Sequence, residues 1–165
     1  MIADKTYKIT DAPKTYDDWL NCFDVLSHKT VSKGELQLLC MGECITSGES
    51  IEYLETQLIK TINIMIRRYI HSFNKELELH MMYNEYDNIY QLFINLSKRF
   101  NDCMFFVHLD FMSVDFRNEL RDSVIRETNK FWQSMINTMY SHCIEQNSSH
   151  LEDELYMIKR IKLFN

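Results

Sequence analysis

Glycine and proline are missing from most of this sequence. Neither residue type occurs anywhere from Glu49 to Asn165. The few that the chain has lie earlier, at Pro13, Gly34, Gly42 and Gly48. Loops that hold phosphates or dinucleotides depend on glycine, because glycine lets the backbone turn sharply and approach a ligand closely. The sequence therefore excludes such loops, and tight hairpins, from most of its length, and it favours long helices joined by polar segments.

Alanine is also scarce and occurs only at Ala3 and Ala12. The helices therefore cannot rest on intrinsic propensity and must be stabilised by burying apolar faces. Hydrophobic residues make up 45% of the chain and aromatic residues 13%, which is enough to build a packed core. Because the apolar residues recur three and four positions apart, the predicted fold class is all-α, a helical bundle of about six helices with three long central helices.

Capping residues and breaks in the apolar spacing delimit the predicted helices. These cover Tyr16–Ser27, Lys33–Ile45, Ser50–Leu79, Glu85–Val107, Val114–His142 and a segment that begins at Ser149. Two Ser-x-x-Glu capping boxes mark helix starts, Ser32 with Glu35 and Ser149 with Glu152. Thr15 is the predicted N-cap of the first helix.

Long apolar runs and an export signal are absent as well. No stretch approaches the roughly 18 uninterrupted apolar residues of a membrane span, and the N-terminal segment lacks the apolar core of a signal peptide. The five cysteines are an odd number without framework spacing. We expect a cytoplasmic protein with no membrane partner, folded as one domain over residues 1–165. Within it, a helical pair in residues 1–48 packs on a long-helix bundle in residues 49–165.

An excess of basic residues is lacking too, since the formal net charge is −6. The sequence therefore has no electrostatic footprint of a general nucleic-acid binder, and nucleic acid is not the expected partner. The predicted fifth helix carries Arg117, Arg121, Arg126 and Lys130, interleaved with acidic residues. We interpret them as a salt-bridged solvent face. A nucleic-acid regulator would instead need the arginines together on one exposed face.

Metal and cofactor sites have weak support in the sequence. Cys40 and Cys44 are four residues apart on the predicted second helix, so they could supply half of a zinc site. No second local pair exists, and buried core thiols are the preferred interpretation. The Glu-x-x-His sequence that di-iron bundles use on two helices does not occur. We expect no metal and no cofactor.

One grouping on the predicted third helix could carry catalysis. Arg67 and Arg68 precede His71, and an arginine one turn from a histidine could hold an RNA phosphate and act in transesterification. The spacing is shorter than in helical ribonucleases of the HEPN type, so the chain is not assigned to that family. A helical RNA-processing enzyme that uses these three residues is the alternative function.

The preferred function is binding. Met81, Met82, Met104, Phe105 and Phe106 lie in segments that are hydrophobic on all sides at predicted helix ends, and something must cover them. Methionine side chains adapt to different partners, which suits a binding surface. We expect a non-catalytic interaction or regulatory domain. These five residues are its predicted contacts with a protein partner or with a second copy of the chain.

Overall fold

A computed structural model describes residues 7–45 and 48–164, and it confirms the all-α fold. The described residues form six α-helices, with no strand among them. The helices are α1 (Tyr16–His28), α2 (Lys33–Cys40), α3 (Gly48–Met82), α4 (Ile89–Asp102), α5 (Val114–Gln146) and α6 (Ser149–Ile158). Two of the three helices predicted to be long, α3 and α5, have 35 and 33 residues. The third, α4, has 14 residues and is shorter than predicted.

The ends of α2 and α4 differ from the sequence prediction. Helix α2 ends at Cys40 rather than Ile45, and α4 ends at Asp102 rather than Val107. The apolar run after α4 instead forms a separate 3-10 turn, Phe105–His108, which packs against α2. An uninterrupted helix would turn part of so apolar a run toward solvent, whereas the break lets its phenylalanines be buried.

The contacts of the chain divide it into two compact units. Unit 1 comprises residues up to Met65 together with Cys103–Arg121, and unit 2 comprises Ile66–Asp102 together with residues from Asp122 onward. Helices α3 and α5 each contribute to both units, which are described separately here. The single domain predicted from the sequence stays a prediction.

In unit 1, side-chain caps start the first two helices. Thr15 and Asp18 form a capping box at α1, and Ser32 and Glu35 form the predicted one at α2. Each pair satisfies backbone N–H groups that have no partner inside the helix. The Glu35 carboxylate also accepts the backbone N–H of Ile9 at 3.0 Å and the Lys29 ammonium at 3.0 Å. This one side chain thus fastens the segment before α1 to the start of α2.

Unit 2 is built around an aromatic core. Phe93 is fully buried, and its ring meets those of Phe73 and Trp132 edge to face at 4.9 and 5.1 Å. Phe131 meets Phe73 and Phe100 in the same geometry. Edge-to-face contacts of this kind add about 0.5–1.5 kcal/mol per pair beyond area burial. The apolar stripes of α3, α4 and α5 therefore meet in one cluster of rings.

Helices α4 and α6 run side by side in the same direction within unit 2. Glu154 accepts the backbone N–H of Tyr90 near the start of α4, and Asn101 near its end donates to the carbonyl of Leu163. The cap of α6 is Ser148, whose side chain accepts the N–H of Leu151, rather than the predicted Ser149. The C-terminal segment is thereby fixed to α4 at both ends.

Candidate partner-binding surface

Phe105 and Phe106 are core residues rather than surface contacts. They are 4% and 0% exposed, and they are buried within unit 1, in the 3-10 turn that packs on α2. The prediction that this pair contacts a partner therefore needs correction. The sequence showed that something must cover the two rings. The two rings are buried within the chain itself, in a turn that packs on α2.

The predicted methionines have different environments. Met104, which precedes the 3-10 turn, and Met81, on the last turn of α3, are both half-buried. Met82 is 63% exposed at the end of α3. Among the predicted contact residues, Met82 is therefore the one with a largely open side chain.

Met82 belongs to a larger exposed apolar group that sequence reasoning missed. Leu79 is 49% exposed and Tyr83 is 65% exposed, and they lie three residues before and one residue after Met82. Side chains at positions i, i+3 and i+4 share one side of a helix. We call Leu79, Met82 and Tyr83 the α3 apolar end. This spacing is visible in the sequence. Because the helix was predicted to end at Leu79, Met82 and Tyr83 were not placed on the same side of a helix.

The backbone at this point explains why the group stays open. Asn84 has a positive φ of 54°, the left-handed conformation in which helices commonly terminate. The N–H of Glu85 donates to the carbonyl of His80 at 2.9 Å, and the N–H of Asn84 donates to that of Met81 at 3.4 Å. These two bonds form a Schellman motif. The chain therefore turns away directly after Tyr83.

The turn is supported by nearby polar side chains. The Tyr86 hydroxyl donates to the side-chain oxygen of Asn84 at 2.9 Å, and Tyr86 itself is buried. His80 Nδ1 lies 3.6 Å from a Glu85 carboxylate oxygen, which is too far for a hydrogen bond. His150 Nε2 lies 2.7 Å from an Asp87 oxygen and joins the start of α6 to the same region. The turn after the α3 apolar end is thus held by the hydrogen bond between Tyr86 and Asn84 and lies beside the start of α6.

The residues of the alternative function lie on the part of α3 that belongs to unit 2. Arg67 and His71, four residues apart, are both exposed and share one face of the helix. Arg68 is half-buried and has at least one polar or electrostatic contact. Arg67 and His71 are therefore the two exposed members of the predicted group. Lys75, exposed four residues further on, continues their line.

The cysteine pair does not share a helix face. Because α2 ends at Cys40, Cys44 lies in the segment that follows, and both side chains are half-buried. Burial raises the pKa of each thiol, so both stay protonated at neutral pH. Among the residues that the structure describes, no group of three His, Cys, Asp or Glu side chains could hold a metal ion.

A cleft in unit 1 lies between the segment before α1 and one face of α1. Its volume is about 450 Å³, and its walls include the side chains of Lys8, Lys14, Asp18 and Asn21. Backbone N–H groups of Lys14 and Thr15 donate to Asp18 and hold the pKa of its carboxyl below the usual range. This carboxylate therefore acts as a helix cap, which accounts for its charge without a ligand.

The arginines of α5 do not all lie open to solvent. Arg117 donates to the carbonyl of Val107 at 2.9 Å and lies 3.5 Å from a carboxylate oxygen of Asp110. Its side chain is 15% exposed, because it holds the 3-10 turn in place. Arg126 and Lys130 are exposed. The single exposed arginine face that a nucleic-acid regulator would need therefore lacks Arg117.

None of the helices in residues 7–45 and 48–164 combines the length and apolar character that crossing a bilayer requires. The chain matches no protein-family model, no curated protein and no solved structure. The function is therefore inferred from the residues themselves.

Proposed function

We propose that this chain is a non-catalytic protein-binding domain of the cytoplasm that engages a protein through the α3 apolar end. The observation that supports it is the exposure of Leu79, Met82 and Tyr83 side by side on one helix end. Binding surfaces are enriched in methionine and tyrosine, because both offer a large contact area and adapt to a partner. The absence of a disulfide among the described cysteines fits a reducing compartment.

Energetics support binding at this position. An exposed leucine or methionine gains about 1.5–3 kcal/mol when it is fully buried, and a few such residues usually dominate the affinity of an interface. The turn at Asn84 fixes the backbone beside the three side chains, so less conformational entropy is lost on binding. The α3 apolar end therefore offers a small, pre-organised anchor for another protein.

The test compares matched variants of the tagged full chain. Leu79→Ser with Met82→Ser removes two of the three apolar groups, and Ile144→Ser makes the same kind of change at another exposed residue of unit 2, which is 77% exposed. Each protein is used to capture partners from a lysate of its source cells. Captured proteins are then purified and titrated against each variant by calorimetry, and self-association is measured by sedimentation.

We expect a partner, or a second copy, that binds the wild type and the Ile144→Ser variant with equal affinity. The double variant should bind at least about tenfold more weakly, which is 1.4 kcal/mol. Equal affinity for the wild type and the double variant would refute the assigned surface. So would a wild-type chain that stays monomeric and retains no protein in stoichiometric amount.

The second candidate is a helical RNA-processing enzyme, which the shared exposed face of Arg67 and His71 favours. In that mechanism the arginine would hold a phosphate and the histidine would move a proton. Incubation of the purified chain with end-labelled single-stranded RNA tests it. Cleavage that is lost in His71→Ala would support this function. Intact RNA, or cleavage unchanged by the substitution, would remove it.

A further inference from the structure

A line of basic side chains leads along α3 to the α3 apolar end. Arg67, His71 and Lys75 are spaced four residues apart and are all exposed. Side chains four apart on a helix are neighbours, with Cβ atoms about 5–6 Å from each other. We call these three residues the basic line. The next residue at this spacing is Leu79, so the basic line and the α3 apolar end follow one another along a single i, i+4 row, which winds about 40° around the helix at each step.

The side chains of the basic line form no ion pair with a described residue. None of the three makes a hydrogen bond within the described chain either, although carboxylates are close in sequence at Glu76 and Glu78. Other cations of unit 2 do have contacts. Lys159 lies over the Tyr140 ring at 4.1 Å, and Arg99 lies 3.7 Å from Asp102. The basic line therefore keeps its hydrogen-bond donors open to a ligand, with its positive charge on Arg67 and Lys75.

We infer that the partner contacts this surface through an acidic amphipathic segment, with carboxylates over the basic line and apolar side chains on the α3 apolar end. This inference rests on the proposed function and specifies the chemistry of its partner. Exposed ion pairs add little affinity individually, but complementary charges select the partner and fix its register. The apolar end supplies affinity, and the basic line supplies specificity and direction.

A nucleic acid fits the same surface less well. Glu78 is exposed and follows Lys75 by three residues. A phosphate backbone is charged at every nucleotide and would meet this carboxylate, whereas a peptide can place an uncharged side chain opposite it. Beyond it lie Leu79 and Met82, which offer a polyanion no hydrogen bond. Strong phosphate binding needs many cations, and this surface offers three basic side chains. A protein segment can match both halves of the surface.

The probe is a pair of synthetic peptides of about 15 residues, long enough to form a helix on a surface. One carries leucines on one face with glutamates beside them. The reference peptide has every glutamate replaced by glutamine. A polyuridylate RNA of similar length is the third probe. Binding of each labelled probe to the full chain is measured by fluorescence polarisation at low and at physiological ionic strength.

We expect the wild type to bind the glutamate peptide about three- to tenfold more tightly than the glutamine peptide at low salt, because a few exposed ion pairs each contribute weakly. The difference should shrink at higher salt. Arg67→Glu with Lys75→Glu should abolish or reverse the preference. Arg126→Glu with Lys130→Glu makes the same charge change at exposed positions of α5 and should leave the preference intact.

Three results would overturn the inference: equal affinity for the two peptides, no binding of either peptide, or tighter binding of RNA that depends on Arg67 and Lys75. The two proposals fail differently. If both peptides bind equally and Leu79→Ser with Met82→Ser weakens both, the α3 apolar end stands and the acidic partner does not. If the glutamate peptide binds more tightly than the glutamine peptide, and the Leu79→Ser with Met82→Ser variant binds both peptides as the wild type does, the assignment of the apolar end fails instead.

Discussion

The indole ring of Trp19 lies against the backbone of Gly42 with no space for a side chain between them. A Cβ atom at Gly42 would lie 2.5 Å from Cζ2 of the ring and 2.9 Å from Cγ of Pro13. Trp19 is fully buried, and its Nε1–H donates to the carbonyl of Glu43 at 2.9 Å. The contact is therefore fixed by a rigid ring on one side and by a hydrogen bond at the next residue.

The first prediction is that Gly42→Ala destabilises the protein. Neither the indole nor the proline ring can move without disturbing the core, so we expect a loss of about 1–3 kcal/mol in the free energy of unfolding. Gly34→Ala is the control, because its nearest neighbour is Ser32 Oγ at 3.9 Å and it lies within α2. That variant should gain up to about 1 kcal/mol. Urea denaturation measures the free energy of unfolding of both variants. An equal change in the two would contradict the close packing at Gly42.

The second prediction concerns Glu35. Burial by itself raises the pKa of this carboxyl, but the N–H groups of Ile9 and Ser32 and the Lys29 ammonium together outweigh burial and hold the pKa below its usual 4.5. A carboxyl whose pKa is lower in the folded state contributes stability above its unfolded pKa. That contribution is lost as the pH falls through the folded pKa.

Glu35→Gln should therefore lower the free energy of unfolding by about 1–3 kcal/mol at pH 7, because bonds to a charged acceptor are lost. The difference between wild type and variant should narrow as the pH falls below about 4.5. The midpoints of urea unfolding, measured for both proteins at several acidic pH values, give this difference. The carboxylate of Asp18 is present in both proteins, so its own titration cancels. A difference independent of pH would show that the charge of Glu35 has no role.

The third prediction concerns two asparagines that stand after helix ends, where glycine is the usual residue. Asn84 and Asn147 have φ values of 54° and 48°, and they follow the ends of α3 and α5. Asparagine tolerates this conformation better than other residues with a side chain, and glycine tolerates it best. Asn147→Gly should raise the free energy of unfolding by about 0.5–1 kcal/mol, and Asn147→Ala should lower it by about 1 kcal/mol. Thermal and urea unfolding measure whether the two substitutions change the free energy of unfolding in opposite directions. Changes in the same direction would contradict the positive φ at Asn147.

The fourth prediction concerns thiol reactivity. Burial, with a smaller effect of the Asp18 charge, raises the pKa of Cys22 to about 12. The thiolate is the reactive form, so alkylation of Cys22 by iodoacetamide at pH 8 should be at least about a hundredfold slower in the folded chain than in urea. The rate in the folded chain should keep rising with pH well above 8. Mass spectrometry of digested peptides measures each site, and equal folded and unfolded rates would contradict the burial.

The helices could be predicted because their determinants are local. Thr15 and the box of Ser32 with Glu35 cap helices as expected, and the apolar stripe of α3 contains residues that are buried in each unit, such as Leu58 and Phe73. Caps and periodic stripes depend on residues a few positions apart. The all-α fold follows from these short-range patterns together with the absence of glycine after Gly48.

The candidate surface was harder to predict because exposure depends on distant parts of the chain. Phe105 and Phe106 form a hydrophobic segment that could be buried by a partner or by the chain itself, and only the packing of α2 decides between the two. Leu79 and Tyr83 were missed because the turn at Asn84 lies beyond the predicted helix end. Sequence patterns show that a residue is apolar, but they do not show what covers it.

The central claim is that another protein covers the α3 apolar end. The most direct measurement places a photoreactive benzoylphenylalanine at position 82, or at position 144 as the control, and irradiates source cells that produce each protein. Both positions are normally occupied by exposed apolar side chains of unit 2. We expect position 82 to form a covalent adduct with one protein species, or with a second copy, and position 144 to form none. Equal or absent adducts at the two positions would contradict the claim.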